Sequence, residues 1–256
     1  RAAMNASRIV TVRDEESAAL LARLGVARGR IGVVPDPVMG LEPPAEAEER
    51  AAGRLGGAGF RAGPEAASAP VVGVSVRRWR PDGADLARVA EALAALVRRR
   101  AVRLRFLPLH APDDAEASRA VMERLAALGA GDAAELAEPG DDPQRMLLEV
   151  GRCSLVFGMR LHALIYAANR GVPMLGLSYD PKIDHFLARL GLAPVGTTEA
   201  LDAEAFAAAA DGLLKPGGAA AWRERHGPAL EALRREARRP ARLVVEALRR
   251  EQGVTS

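Results

Sequence analysis

Residues 154–182 read SLVFGMRLHALIYAANRGVPMLGLSYDPK, and the fold turns on this stretch. Its first five residues form a short apolar run that predicts a buried strand. Met159, Arg160, Leu161 and His162 follow. Leu161, Leu164, Ile165 and Ala168 are spaced i, i+3, i+4, i+7, which predicts a helix with one apolar face. Gly171 stops that helix and Pro173 keeps it from resuming. Residues 174–178 predict a second strand, which runs into Tyr179, Asp180, Pro181 and Lys182. Two strand ends, one helix apart, therefore each deliver cations. In open α/β sheets the carboxyl ends of strands face the ligand crevice. An Arg, a His and a Lys gathered there suit an anionic substrate and proton transfer.

The same alternation extends outward from this stretch. A strand is expected at 71–76, ending at Arg77, and Asp82 is placed to cap a helix carrying Leu86, Val89, Leu93, Leu96 and Val97. Another strand is expected at 102–107, followed by Pro108, Leu109 and His110. Helices are expected at 113–128, 143–151, 183–190 and 201–214, and weak strands near 135–137 and 193–195. Beyond residue 219 the pattern is helical, with interruptions expected at Pro228 and Pro240. Toward the amino terminus, a strand at 8–12 leads to Arg13. Asp14 then caps a helix opened by Glu15 and Glu16, and a short strand at 31–34 closes on Pro35-Asp36-Pro37. Residues 42–70 are rich in Ala, Gly, Pro and Glu and read as a linker. The expected division is 1–41, linker 42–70, and 71–256. Strand–helix alternation of this kind predicts an α/β, Rossmann-like, doubly wound parallel sheet.

Composition narrows the function classes. The 256 residues carry 36 basic and 33 acidic side chains, a net charge of +3. Only Lys182 and Lys215 are lysines, a skew that reflects base composition more than nucleic-acid binding. Two Trp, two Tyr and five Phe are too few for a base-stacking surface. Cys153 is the single cysteine, so no internal disulfide forms. No G-x-G-x-x-G, Walker loop, H-E-x-x-H or G-x-S-x-G is present, and the four scattered histidines argue against a metal site. The Arg-rich segment 219–251 is partly amphipathic. It suits either packing on its own domain or contact with an acidic membrane surface.

Arg13, Arg77, His110, Arg160, His162 and Lys182 all fall at or just past an expected strand's carboxyl end. Taken singly, each reads as a surface cation. Taken together, they read as a ligand site. Arg160 and His162 open a helix, where free N–H groups and the dipole already favour anions. The arginine adds a planar fork, and an imidazole exchanges a proton near neutral pH. The alternative for His162 is a buried ring bonded to a backbone carbonyl. Asp180 and Asp184 either orient Lys182 or cap the helix that follows it.

With these residues laid out, the chain resembles the polysaccharide pyruvyl transferase family, most closely its CsaB-type bacterial members. The matching blocks are TVRDEES at 11–17 with PDPV at 35–38, VVGVSVRRW at 71–79 with FLPLH at 106–110, and GMRLHALIYAANRGVPMLGLSYDPKIDHFLARLGL at 158–192. The resemblance implies a two-domain, glycosyltransferase-B-like architecture with only the end of the amino-terminal domain present in this chain.

The implied activity moves the enolpyruvyl unit of phosphoenolpyruvate onto a sugar as a cyclic pyruvate ketal. The implied acceptor is a lipid-linked or polymeric cell-wall saccharide. Arg13, Arg77, Arg160, His162 and Lys182 carry over from the family's motifs. His162, Lys182 and Arg13 are expected to be catalytic, and Arg77, Arg160 and His110 to bind substrate. No cofactor, metal or nucleic acid is expected. The expected location is cytoplasmic, with peripheral contact at the inner membrane face left open. The alternatives are a nucleotide-sugar-dependent glycosyltransferase on the same architecture and a non-catalytic sugar-binding module.

Overall fold

The computed structural model describes residues 1–42, 69–138 and 142–251. The expected linker therefore lies almost wholly outside the described residues. The chain forms two compact units: residues 1–41 with 229–256, and residues 42–228.

In the smaller unit, α1 spans Ala2–Ala6, and β1 (Val10–Val12) pairs in parallel with β2 (Ile31–Val33). Between the strands runs α2 (Glu15–Arg23). Asp14 caps α2 as its sequence predicts, accepting from the Ser17 amide at 2.7 Å, and Glu15 and Glu16 sit at the positive end of the dipole. Val10, Ala18, Val26 and Ile31 are buried together. Gly25 reverses the chain after α2 with φ +88°, a conformation that side chains disfavour.

The larger unit is organised by one sheet. Its strands are β3 (Val71–Ser75), β4 (Arg103–Phe106), β5 (Ala134–Leu136), β6 (Leu155–Gly158), β7 (Met174–Ser178) and β8 (Gly196–Thr197). The order across the sheet is β5-β4-β3-β6-β7-β8, and every pairing is parallel. From β3 the chain winds outward through β4 to β5. It then returns to the other side of β3 and winds outward again through β6, β7 and β8. The doubly wound sheet expected from the sequence is present, and its switch point lies between β3 and β6.

The helices follow from that winding. They are α3 (Ala84–Arg99), α4 (Asp113–Ala127), α5 (Pro143–Gly151), α6 (Leu161–Arg170), α7 (Pro181–Arg189) and α8 (Ala203–Leu214). Right-handed crossovers running in opposite directions place the two sets on opposite faces of the sheet. Accordingly α3 packs with α4 and α8, while α6 packs with α5 and α7. Val72 lies in register between Leu104 and Leu155, and Val74 between Phe106 and Phe157, all fully buried. Phe206 of α8 closes over Phe157 at 4.6 Å between ring centroids. Gly73 is fixed by the other face of β3. A Cβ there would lie 2.8 Å from the Cys153 Sγ and 2.9 Å from Leu107. Burial also pushes the Cys153 thiol up to about 12.

Several boundaries differ from the sequence expectation. The cap of α3 is Gly83 in the left-handed region (φ +67°), not Asp82. The Asp82 side chain instead accepts from the Ala84 amide at 3.1 Å. The last strand falls at 196–197 rather than 193–195. Pro228 does not interrupt the chain either: α9 runs Gly218–Ala237 straight through it. The missing amide costs one helical bond, and packing of Trp222, Leu230 and Leu233, all buried, holds the helix together. The two-unit boundary falls at Pro228 within α9. α10 (Arg239–Glu251) follows. Among the described residues no helix is long and apolar enough to cross a membrane.

Candidate functional site

The site is built from the loops that leave β3, β4, β6 and β7 at their carboxyl ends. The β3 loop is folded by Asp85, a fully buried residue in the first turn of α3. Its Oδ2 accepts from the amides of Trp79 at 2.8 Å and Arg80 at 3.2 Å. That clasp sets Arg77 and Trp79 at the rim. Arg77 donates from Nη1 to the Tyr179 hydroxyl at 3.3 Å. Its guanidinium stands 5.3 Å from the Trp79 ring and 5.2 Å from the Tyr179 ring, within cation–π range. The two rings contact each other at 4.8 Å, tilted by 48°. Two atoms here, Arg77 Nε and Asp85 Oδ1, are buried with no hydrogen-bond partner, a cost that folds usually avoid.

The β7 loop supplies the other half of this cluster. Asp180 caps α7, accepting from the Lys182 amide at 3.0 Å, and also pairs with the Lys182 Nζ at 3.2 Å. It therefore fills both roles that the sequence left open. Asp184 instead accepts from the Ser178 hydroxyl at 2.7 Å. Lys182 Nζ stands 5.3 Å from the Tyr179 ring. Tyr179 is thus the common contact of Arg77, Trp79 and Lys182.

A second clasp joins β4 and β6. Asp114, fully buried in the first turn of α4, accepts from the Leu109 amide at 3.2 Å and the His110 amide at 3.0 Å. It also takes Arg160 on two donors: Nε lies 3.1 and 3.0 Å from the two carboxylate oxygens, and Nη2 bonds Oδ1. Arg160 is the residue that caps α6. Its fork is therefore aimed by a buried carboxylate that takes Nε and Nη2. His110 itself is exposed, with Nδ1 3.8 Å from the Asp113 carboxylate. The β3 and β6 turns are tied directly, since the Met159 amide donates to the Ser75 carbonyl at 2.8 Å.

His162 occupies the second position of α6. The first seven other residues of that helix are buried, and His162 alone is exposed. The alternative of a buried His162 ring is therefore not what the structure shows.

Of the six residues singled out in the sequence, the structure joins Arg77 and Lys182 through Tyr179, and links Arg160 to the His110 loop through Asp114. His162 shares a helix turn with Arg160. Arg13 belongs to the smaller unit, at the end of β1, with Nε 3.8 Å from Asp14 and Nη1 3.8 Å from Asp36. Sequence reasoning missed Trp79, Asp85 and Asp114. For the two acids a signal existed: each follows a strand and loop and stands in the first turn of a helix. Among the described residues no group of three or more His, Cys, Asp or Glu stands together as a metal site.

Near the rim, Asp82 is held below the usual carboxylate range, chiefly by the Ala84 amide and then by Arg80. Arg80 is raised in turn by its hydrogen bond to Asp82. This pair is exposed and folds the loop beside Trp79.

Solved structures of similar shape include UDP-GlcNAc 2-epimerases and a glycosyltransferase. The S. aureus MnaA–UDP structure superposes with a TM-score of 0.62 at 13% identity, covering 98% of this chain and 62% of that one. A UDP-GlcNAc 2-epimerase from Neisseria meningitidis, bound to UDP-GlcNAc, gives 0.59 at 12%, covering 94% and 61%. A glycosyltransferase from Rickettsia africae gives 0.59 at 14%, covering 96% and 66%. The chain thus spans less than two thirds of the length of each. At these identities the likeness is one of fold, and the fold is glycosyltransferase-B-like. No curated protein matches the chain in sequence. The model of the polysaccharide pyruvyl transferase family matches residues 1–181, which takes in Arg13, Arg77, His110, Arg160 and His162 and stops one residue short of Lys182. The chain therefore belongs to the polysaccharide pyruvyl transferase family.

Proposed function

We propose that the chain transfers the enolpyruvyl unit of phosphoenolpyruvate to a sugar of a cell-wall polysaccharide, making a cyclic pyruvate ketal. The observation that carries this reading is the common origin of Arg77, Arg160, His162 and Lys182. They leave the carboxyl ends of three neighbouring parallel strands, β3, β6 and β7, around the sheet's switch point. Two arginine forks, an ammonium and a helix N-terminus suit a small donor that carries both a phosphate and a carboxylate.

The chemistry needs proton traffic and anion binding. A proton is delivered to the donor's methylene carbon, so that C2 becomes electrophilic. One acceptor hydroxyl adds to C2 and gives up its proton. The C2–O bond to phosphate breaks, and a second hydroxyl closes the ring and gives up its own. Of the two hydroxyl protons, one is accounted for in the new methyl group and one in the released phosphate. His162 is the exposed imidazole proposed to move them. Arg77 and Arg160 hold the donor's anionic groups, and Lys182 offsets the charge of the departing phosphate. His110 joins the proposal on its family motif as a donor contact, and Arg13, in the smaller unit, is carried by its motif alone. The acceptor is a lipid-linked or polymeric saccharide.

The test is phosphate release coupled to ketal formation by the complete chain. His162→Ala is expected to lower turnover by roughly 10²–10⁴-fold with unchanged circular dichroism. Wild-type turnover in that variant removes His162 from the mechanism. Release of UDP from a nucleotide sugar, without phosphate release, replaces the reading with a glycosyltransferase. Sugar binding with neither release replaces it with a binding module.

A further inference from the structure

Trp79 has no role in the donor chemistry, yet it is the most conspicuous side chain at the rim. It is 47% exposed, while the other tryptophan, Trp222, is 6% exposed. Among the described residues, the remaining exposed large apolar side chains are Met, Leu and Val on helices or in turns. Trp79 is also held in place. Its amide is tied to buried Asp85 at 2.8 Å, its ring leans on Tyr179 at 4.8 Å, and Arg77 lies 5.3 Å from it. A large ring kept half in water costs burial that the core would otherwise collect. A ring so exposed and so restrained is pre-organised for a flat apolar partner.

We propose that Trp79, backed by Tyr179, is the platform on which a pyranose ring of the acceptor saccharide stacks. The inference rests on the pyruvyl-transfer reading for the identity of the acceptor. The physical case is one of complementarity. One face of a hexopyranose is a patch of C–H groups, apolar and slightly positive, while its edge carries hydroxyls. An indole face carries the negative side of the ring quadrupole and offers no competing polar group. The doubly charged donor has no apolar face and finds its partners in the cations. Arg77 serves both groups: it contacts each ring and belongs to the cations assigned to the donor. Stacking on Trp79 therefore brings acceptor hydroxyls to the same loop that holds the donor. Trp79 is thus a positioning residue, which sets where the acceptor diol lies and moves no proton itself.

The experiment is saturation-transfer NMR on the complete chain with methyl hexopyranosides, phosphoenolpyruvate and UDP as separate probes. Acrylamide quenching of tryptophan fluorescence runs alongside, with buried Trp222 as the internal control. The pyranoside C–H protons are expected to receive saturation, and the pyranoside is expected to shield Trp79 from acrylamide. Trp79→Ala is expected to weaken pyranoside binding roughly tenfold, as for other aromatic anchors, and Trp79→Phe to retain most of it. Phosphoenolpyruvate binding is expected to change little in either variant. Wild-type pyranoside affinity in Trp79→Ala overturns the proposal, as does absence of pyranoside binding to the wild-type chain. Shielding of Trp79 by UDP but not by pyranosides also overturns it, and assigns the platform to a nucleobase. Pyranoside stacking that depends on Trp79, with no binding of phosphoenolpyruvate, leaves the platform standing and sinks the donor reading instead.

Discussion

Two arginine-rich regions of the larger unit use the same side chain in opposite ways. On one face of β4, Arg103 and Arg105 meet Glu135 of β5 at 3.4 and 3.5 Å. Glu149 of α5 takes Arg105 at 2.9 Å and Arg152 at 2.7 Å. All five side chains are mostly buried, and charge is answered by charge. At the rim, Arg77 is answered by rings and a hydroxyl, and Arg160 is answered by one carboxylate that takes only one side of its fork. The first region is a network of ion pairs that ties β4 to β5 and α5, although the Nε atoms of Arg103, Arg105 and Arg152 are buried without hydrogen-bond partners. The second meets Arg77 with neutral groups and Arg160 with a single carboxylate. The difference teaches that the partners of an arginine, more than its presence, separate a structural cation from one that is poised to meet an anion.

Substitutions can break that distinction. The largest effect is expected from Asp114→Ala, which strands Arg160 and frees the amides of Leu109 and His110. Removing one partner of a buried pair costs roughly 3–5 kcal/mol. Urea unfolding should show it, together with weaker phosphoenolpyruvate binding in the fraction that remains folded. Wild-type stability would show that Arg160 is not held by this clasp. Glu149→Ala is expected to cost somewhat less, about 2–3 kcal/mol, because its arginines keep some access to water. If the network is purely structural, turnover per folded molecule stays unchanged; a loss of turnover at equal stability would blur the two regions into one.

Gly73→Ala sharpens the comparison from the face of the sheet that Arg105 shares. Its new methyl meets Cys153 and Leu107 at under 3 Å, and an overpacked site of this kind costs roughly 1–3 kcal/mol. A thermal melt equal to wild type would mean that Cys153 and Leu107 move aside freely.

The smallest effect is expected at Asp211. Its carboxyl is held below the usual range, first by the hydrogen bond from Arg100 at 2.6 Å and then by Lys215. A folded value below the unfolded one adds stability above the ordinary carboxylate range. That stability is lost as pH falls through the ordinary range and on through the lowered value. Asp211→Asn should therefore lower the urea midpoint more at pH 7 than at pH 3. An equal loss at both would assign the effect to packing of α8 against α3.

Much of the fold was legible because the signals are local. The apolar runs at 155–158 and 174–178, the stop at Gly171 and the caps at Asp14 and Asp180 all act within a few residues. Arg77, His110, Arg160, His162 and Lys182 were legible as rim residues for the same reason, since each follows a strand. Other features needed long-range partners. Arg160 and Asp114 are 46 positions apart, and Arg77 and Tyr179 are 102 apart. Nothing in the spacing of the chain announces either pair. Trp79 was passed over because one aromatic in a loop has no periodicity to mark it. Pro228 was read as a break because the sequence shows the missing amide and not the packing that makes the loss tolerable.

The sequence alone determined the alternation of strands and helices, the parallel sheet, and the gathering of cations at strand ends. Chain stiffness, glycine and proline stops, and the burial of apolar runs are enough to dictate these. Only the tertiary structure decided the order β5-β4-β3-β6-β7-β8, the two buried aspartates that set the rim loops, and the ring pair at Arg77. Those depend on which distant segments share the interior, where an unpaired charge is costly and each buried carboxylate must find its donors.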